Sequence, residues 1–399
     1  MMAAHDPGNQ RRIRITAHTL LTCLGHGRAA HLDAMTAGRS GLAPNDYPEL
    51  PFDCFIGRVP NIEAIEFPDE LAAFDNRATR LSLAALKANG FGDAVSAMRN
   101  KWGSARCGVV LGTSTSGVEK LECAYRNQHD ERPLHERYSM GHHGDHQAVA
   151  AFLQEHLELS GPSYTISTAC SSSSKALVDA VQLIEAGFCD AVLAGGVDSL
   201  CLTSLNGFEA MQLISRTACR PCDATRDGVS IGEGAAFMIV ERDTDGGAQL
   251  SGYGESSDGF SMSTPPEDGA GAAAAMRTAL ESAGLEPNQI DYVNLHGTAT
   301  PTNDAAECTA VVAVLGSSVP ASSLKGAVGH TLGAAGAVEA VMCLIALEEN
   351  LIPGNTGLET LDPKIACDIR AESRPSDLSY ILSNAFGFGG NNCAIVLSR

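Results

Sequence analysis

Residues 164–174, YTISTACSSSS, decide how this chain is read. Tyr164 to Ser167 has the β-branched character of a strand, and the small residues after it form a turn. Residues 175–186 then space Leu177, Val181 and Ile184 along one face of a helix. Cys170 therefore stands at a strand–turn–helix junction, where the first helical N–H groups have no intrahelical partner. The spacing predicts that these groups and the positive helix end stabilise a thiolate and pull the Cys170 thiol below its ordinary pKa. Small neighbours leave room for a substrate chain and let a backbone N–H face a developing oxyanion. An arbitrary cysteine is more often a small buried hydrophobe; its setting makes Cys170 a candidate nucleophile.

Two histidines share that kind of setting. DYVNL at 291–295 reads as a strand ending in HGTATP at 296–301, with a helix beginning near Asn303 or Asp304. A histidine at the C-terminal end of a strand is where open α/β sheets place site residues. SLKGAVGH at 323–330 runs into the small-residue helix start TLGAAG at 331–336. The halves also resemble each other. VDAV at 178–181 and VEAV at 338–341 lie 160 residues apart, and the same offset sets Cys170 opposite His330. VLGT at 110–113 and LHGT at 295–298 both read as a strand entering a Gly-Thr loop. A duplicated unit would thus carry a cysteine in one copy and a histidine in the other.

The wider chain suits a globular enzyme. It has 399 residues, 44% hydrophobic, with 41 glycines, enough for two domain-sized cores. Short β-branched runs alternate with alanine-rich helical stretches on both sides of DTDGG at 243–247, which implies an α/β architecture of two halves, 11–245 and 246–399, after a disordered stretch 1–10. The net charge of −20 argues against nucleic acid or an anionic membrane as partner. No apolar run is long enough for a membrane span and no signal peptide is visible, so a cytoplasmic location is expected. The 13 cysteines are scattered, several within apolar runs, and read as buried side chains or chemistry rather than a disulfide framework.

The motifs then match a family. STAC at 167–170, HGTATP with Asp304 and Glu307, Lys325 ahead of GHTLGAAG at 329–336, and NAFGFGG at 384–390 resemble the β-ketoacyl-acyl-carrier-protein synthases of the thiolase fold. Arg220, Pro221 and Asp223, RDG at 226–228 and GEG at 232–234 resemble them too. The resemblance implies two duplicated α/β halves in layered αβαβα order, dimeric through the N-terminal sheet. It implies that Cys170 takes an acyl chain from a carrier-protein thioester, that His296 and His330 bind the malonyl thioester carbonyl, and that the N–H groups of Cys170 and Phe388 form the oxyanion hole. Lys325 and Glu307 would form a buried pair fixing His330, with Asp304 in support. Thr298 and Thr300 would hold the phosphopantetheine arm, and Phe386 and Phe388 would meet the acyl chain, Phe388 swinging between its glycines. No metal or resident cofactor is implied; phosphopantetheine arrives on acyl carrier protein, acyl- or malonyl-loaded. The partner chain would be a second copy or a related ketosynthase-like chain.

Departures narrow the reading. Where many family members carry cations for the acidic carrier, this chain has FPDELAAF at 67–74, leaving Arg77, Arg80, Arg99 and Lys101 as candidates. The family's Asp-Ala-x-His string is DGFS at 258–261. With a short stretch between Met211 and Arg220, GTSTSG at 112–117 and GGVDSLC at 195–201, the chain resembles ketosynthases of type II systems that make aryl-polyene-type products, beside fatty-acid synthesis. A non-catalytic, chain-length-determining partner subunit is the alternative; such chains lack the nucleophile, present here. A degradative thiolase would use a second cysteine, for which Cys393 is the nearest candidate. HHGDH at 142–146 reads as the polar start of a helix over 148–157 rather than a metal cluster. CRPC at 219–222 has no second pair for zinc, and the glycines at 387–390 lie between strands, unlike a nucleotide loop.

Overall fold

The computed structural model describes residues 13–47, 49–127, 133–242 and 246–399. The stretch 1–10 and Asp243, Thr244 and Asp245 of the expected boundary lie outside the described residues.

Strands β1 (Ile13–Thr22), β2 (Cys107–Gly112), β3 (Ser163–Ile166), β4 (Ala191–Asp198) and β5 (Gly234–Arg242) build one sheet; β6 (Gln249–Ser257), β7 (Tyr292–Asn294), β8 (Pro320–Ser322), β9 (Asp368–Ile369), β10 (Tyr380–Gly387) and β11 (Asn391–Ser398) build another. The first runs β1-β5-β4-β2-β3, with Gly25–His26 extending its margin, and the second β6-β11-β10-β7-β8-β9. In the first, β1–β5 and β5–β4 are antiparallel while β4–β2 and β2–β3 are parallel. In the second, β6–β11 and β11–β10 are antiparallel while β10–β7 and β7–β8 are parallel. Leaving out β9, which adds an edge strand to the second sheet, the order counted within each half is the same, so the short sequence matches reflect a repeated topology.

Helices α1 (Arg77–Lys87), α2 (Gln147–His156), α3 (Ser172–Glu185), α4 (Leu202–Ala210), α5 (Ala270–Ala283), α6 (Pro301–Leu315) and α7 (Ala335–Glu349) complete the frame. One hydrophobic cluster holds α3 and α7 between the two sheets. Side chains of α1 and α2 cover the outer face of the first sheet, and those of α5 and α6 cover the second. The layering is α-β-α-β-α. Helix α7 is buried from Ala335 through Leu347, the signature of a helix apolar around its whole circumference. Glycines let the central layer close up. A Cβ on Gly112 would fall 2.2 Å from Ser173 N, and one on Gly336 would fall 2.1 Å from Ser174 Oγ.

The elements around the expected motifs are close to those the spacing predicts. Strand β3 ends at Ile166, α3 begins at Ser172, β7 ends at Asn294 and α6 begins at Pro301. HHGDH sits in the turn Met140–Gly144 and the start of α2; His146 Nε2 lies 3.1 Å from the Ser114 carbonyl, and the His142 ring stands edge-on to Phe74. Cys219 and Cys222 are both buried, Cys219 against the Lys325 carbonyl and Cys222 with its N–H on Asp304.

Candidate active site

The turn that delivers Cys170 is forced. Ala169 adopts φ 55°, a left-handed conformation costly for any residue with a Cβ, and it reverses the chain just ahead of the thiol. Hydrogen bonds hold the reversal: Ser172 Oγ accepts from Thr168 N at 2.9 Å, and Ser171 Oγ donates to the Thr168 carbonyl at 2.9 Å. His330 is strapped to a neighbouring loop, its N–H donating to the Ser230 carbonyl and its carbonyl accepting from Gly232 N. Gly232, the first residue of the GEG string, is one anchor of this strap, whereas Arg226 of the RDG string bonds Asp362 and the Pro301 carbonyl.

The three groups converge. Cys170 Sγ lies 2.9 Å from His330 Nε2 across 160 residues of sequence. The two imidazole rings are 5.4 Å apart and nearly perpendicular, and Sγ and one nitrogen of each ring lie within 4.8 Å of one another. Lys325 Nζ stands 3.3 Å from His296 Nδ1. An ammonium can only donate, so it fixes the proton of His296 on Nε2 and turns that N–H to the cleft. His330 Nδ1 has no partner among the described residues, which leaves either tautomer open to this ring.

Two expectations need correction. Lys325 does not pair with Glu307. Its ammonium meets Glu339 Oε1 at 2.5 Å, and it steadies His296 rather than His330. Glu339 projects from α7 into the space Lys325 enters and also accepts from Asn294 Nδ2 at 3.1 Å. Glu307 is occupied elsewhere: its two oxygens accept from the N–H groups of His296 (2.7 Å) and Gly297 (2.8 Å), and Asn384 Nδ2 adds a third bond at 3.1 Å. Asp304 does the same for the next turn, accepting from Ala299 N at 3.1 Å and Cys222 N at 2.8 Å. Both acids hold backbone.

The second correction concerns the thiol. Burial pushes Cys170 up to about 11, outweighing the Lys325 charge and the N–H groups of Phe388 and Cys170 itself, all of which lower it. Burial also holds His296 and His330 well below the ordinary histidine value, helped by the Lys325 charge. At neutral pH the pair is neutral thiol and neutral imidazole. The helix terminus cannot offset the loss of water around the sulfur of a residue only 5% exposed. The same desolvation raises Glu307 to about 7.

A cleft of about 840 Å³ leads to the thiol, lined among others by Thr298, Thr300, His296, Phe386 and Phe388. Thr298 and Thr300 bond each other at 3.0 Å. Ser261, in the place of the family's histidine, is also in the wall. The Phe388 ring stacks on Phe208 of α4 at 5.5 Å, and beyond that pair lies a second, apolar cavity of about 580 Å³ that also reaches Cys170. Cys393 is wholly buried on β11 and lines neither. The candidate docking cations already have carboxylate partners: Arg77 with Glu233 and Glu63, Arg80 with Asp75, Arg99 with Glu158 and Lys101 with Glu241.

Glu339 and Phe208 escaped the sequence reading. A lone acid inside the apolar string VEAV was the available signal for Glu339; nothing local marks Phe208.

Two family descriptions match the chain, "Beta-ketoacyl synthase, N-terminal domain" over residues 10–246 and "Beta-ketoacyl synthase, C-terminal domain" over 247–359. The chain is similar to 3-oxoacyl-[acyl-carrier-protein] synthase 2 of Rhizobium meliloti, 36% identical over 313 residues that make up 73% of this chain and 74% of that protein. It is similar to the protein of the same name from Vibrio harveyi, 30% identical over 98% of this chain and 99% of that one. Among solved structures it is similar to the ketosynthase ApeO in complex with its chain length factor ApeC from Xenorhabdus doucetiae, with a TM-score of 0.89, 34% identity and 100% of both chains covered. Matched across both halves at these identities, the chain belongs to the β-ketoacyl synthase family.

Proposed function

We propose how the residues divide the work of a decarboxylative Claisen condensation, in which an acyl thioester and malonyl-acyl-carrier protein give 3-oxoacyl-acyl-carrier protein. The 2.9 Å contact between Cys170 Sγ and His330 Nε2, with the Lys325-oriented His296 beside it, carries the assignment. In the first half-reaction His330 Nε2 takes the thiol proton as sulfur attacks the acyl thioester carbonyl. The carbonyl oxygen is received by the N–H groups of Cys170 and Phe388, the carbon–sulfur bond to pantetheine breaks, and the leaving thiolate takes the proton back.

In the second half-reaction His330 adopts its other tautomer, which the unpartnered Nδ1 permits, and the malonyl thioester oxygen accepts from the Nε2–H groups of His296 and His330. The bond to the carboxylate carbon breaks, CO₂ leaves, and the electron pair becomes an enolate held by the two imidazoles. Its carbon attacks the acyl-cysteine, the carbon–sulfur bond breaks and Cys170 takes up one proton to return to the thiol. Two neutral imidazole donors make this route workable without a metal or a resident cofactor. Thr298 and Thr300 line the approach of the phosphopantetheine arm, Phe386 and Phe388 meet the acyl chain, and Phe388 separates the cleft from the cavity.

The partners follow the same reading: acyl- and malonyl-loaded acyl carrier protein, and a second ketosynthase-like chain against the outer edge of β3. A chain-length-factor-like relative fits best, since ApeO is solved with one. We assign the two halves to 11–245 and 246–399, the work to the cytoplasm and the product to a specialised type II system. No helix among the described residues is long and apolar enough to cross a membrane.

The deciding experiment measures intact mass after incubation with acyl-carrier protein. An acyl adduct forms on the wild type and is absent from Cys170→Ala. Adding malonyl-carrier protein discharges it as 3-oxoacyl product; His296→Ala stops at the acyl-enzyme, while His330→Ala both forms the adduct more slowly and fails to discharge it. An adduct on both proteins, or on neither, sinks the assignment.

A further inference from the structure

The cavity beyond the Phe208–Phe388 stack has a puzzling lining. Ser114, Thr115, Cys201, Thr203 and Ser204 all stand in it, a composition that reads as polar. The wall itself is almost wholly apolar, because three of the hydroxyls are turned aside onto acceptors of their own. Thr115 Oγ1 donates to Asp198 Oδ1 at 2.8 Å, Thr203 Oγ1 to Glu122 Oε1 at 2.6 Å, and Ser204 Oγ to the Cys201 carbonyl at 3.0 Å. The Ser114 Oγ is covered.

Asp198 organises this wall. Its carboxylate is completely buried at the end of β4. Oδ1 accepts from Thr113 Oγ1 at 2.6 Å and from Ser114 N, Thr115 N and Thr115 Oγ1 at 2.8 Å each. Oδ2 accepts from Ala334 N, four residues past His330, at 3.2 Å. Leu332, in the turn between them, lines the same cavity with φ 54°. The strings GTSTSG and GGVDSLC, far apart in sequence, are thus two parts of one device. One carboxylate joins the turn after β2, the segment leading to Cys201 and the turn after His330.

We infer that Asp198 is a positioning residue for acyl-chain selection: by holding the Thr115 hydroxyl and the N–H groups of Ser114 and Thr115 it keeps their donors out of the cavity and leaves it a hydrocarbon wall, so that Cys170 takes chains with a hydrocarbon body in preference to chains carrying internal ketones. This rests on the reading that Cys170 is acylated and that the chain enters this cavity. A ketone oxygen placed against such a wall loses its bonds to water and gains no donor.

The test compares decanoyl and 5-oxodecanoyl carrier protein, with the rate of Cys170 adduct formation read by intact mass. Wild type favours decanoyl by about tenfold or more in kcat/KM, as an unsatisfied buried oxygen requires. In Asp198→Asn the amide N–H₂ opposes the turn's own donors and releases the Thr115 hydroxyl towards the cavity, and the preference falls to within about threefold. Thr115→Val removes a hydroxyl without releasing one and keeps the wild-type preference. A purely structural role for Asp198 slows both substrates together and leaves their ratio unchanged, which overturns the inference. So does equal use of both chains by the wild type, a result that needs no variant to fold. If neither chain labels Cys170, the acylation reading itself has failed; if both label it equally, acylation stands and only the selection falls.

Discussion

Cys170 rests as a neutral thiol because the groups that favour the thiolate are outweighed by the water it has lost. The Lys325 charge is the largest of those favourable influences, so Lys325→Met raises the thiol further. Alkylation of Cys170 by iodoacetamide should climb with pH through the neutral range towards about 11 in the wild type. In the variant it should lag at pH 8, by roughly tenfold if the thiol pKa climbs by one more. A plateau already reached at pH 7 would show a thiolate and refute this description. Glu307 gives a second residue-level prediction. Its carboxyl titrates at about 7 when folded against an ordinary 4.5. A raised carboxyl stabilises the fold below its unfolded pKa and loses that contribution as pH rises through the folded value. The wild type should therefore lose roughly 3 kcal/mol between pH 4.5 and 8 that Glu307→Gln does not lose, measured by denaturant titration at each pH. Parallel curves would contradict the raised carboxyl. Both residues were legible as site residues in the sequence. Their protonation was not, because burial is a property of what other segments place around them.

At the scale of elements, α3 and α7 carry the site, and their closeness depends on having no side chain where they touch. Gly336→Ala puts a methyl 2.1 Å from Ser174 Oγ. Overpacking at such a contact costs about 1–3 kcal/mol, so the denaturation midpoint should fall, and Ser174→Ala should recover part of the loss. Unchanged stability would mean the two helices slide apart freely. The strand–turn–helix around Cys170 and the strand before His296 could be read locally, since each is defined by neighbours in sequence. The Lys325 partner could not. Glu307 and Glu339 are both acids at plausible distance along the chain, and only the packing of α7 against the second sheet presents Glu339 to the ammonium while backbone N–H groups claim Glu307.

For the whole molecule, the shared middle layer makes the two halves a single folding unit. The only tryptophan, Trp102, belongs to the first half, and the buried thiols of Cys308 and Cys367 belong to the second. Trp102 fluorescence and exposure of those thiols to a maleimide should change at the same denaturant concentration. Two separated midpoints would show halves that unfold independently, and a site assembled between independent bodies.

The sequence alone determined the strand–turn–helix around Cys170 and the strand ahead of His296, and offered a repeat and a set of candidate site residues, because propensity, periodicity and turn residues act over a few neighbours. Tertiary structure alone decided that Cys170 meets His330 and that Lys325 meets Glu339. It also decided that the thiol stays protonated and that the serines and threonines beyond it show their hydrocarbon side. These outcomes depend on water being excluded by segments more than a hundred residues away, and on which of several possible partners first satisfies each buried polar group.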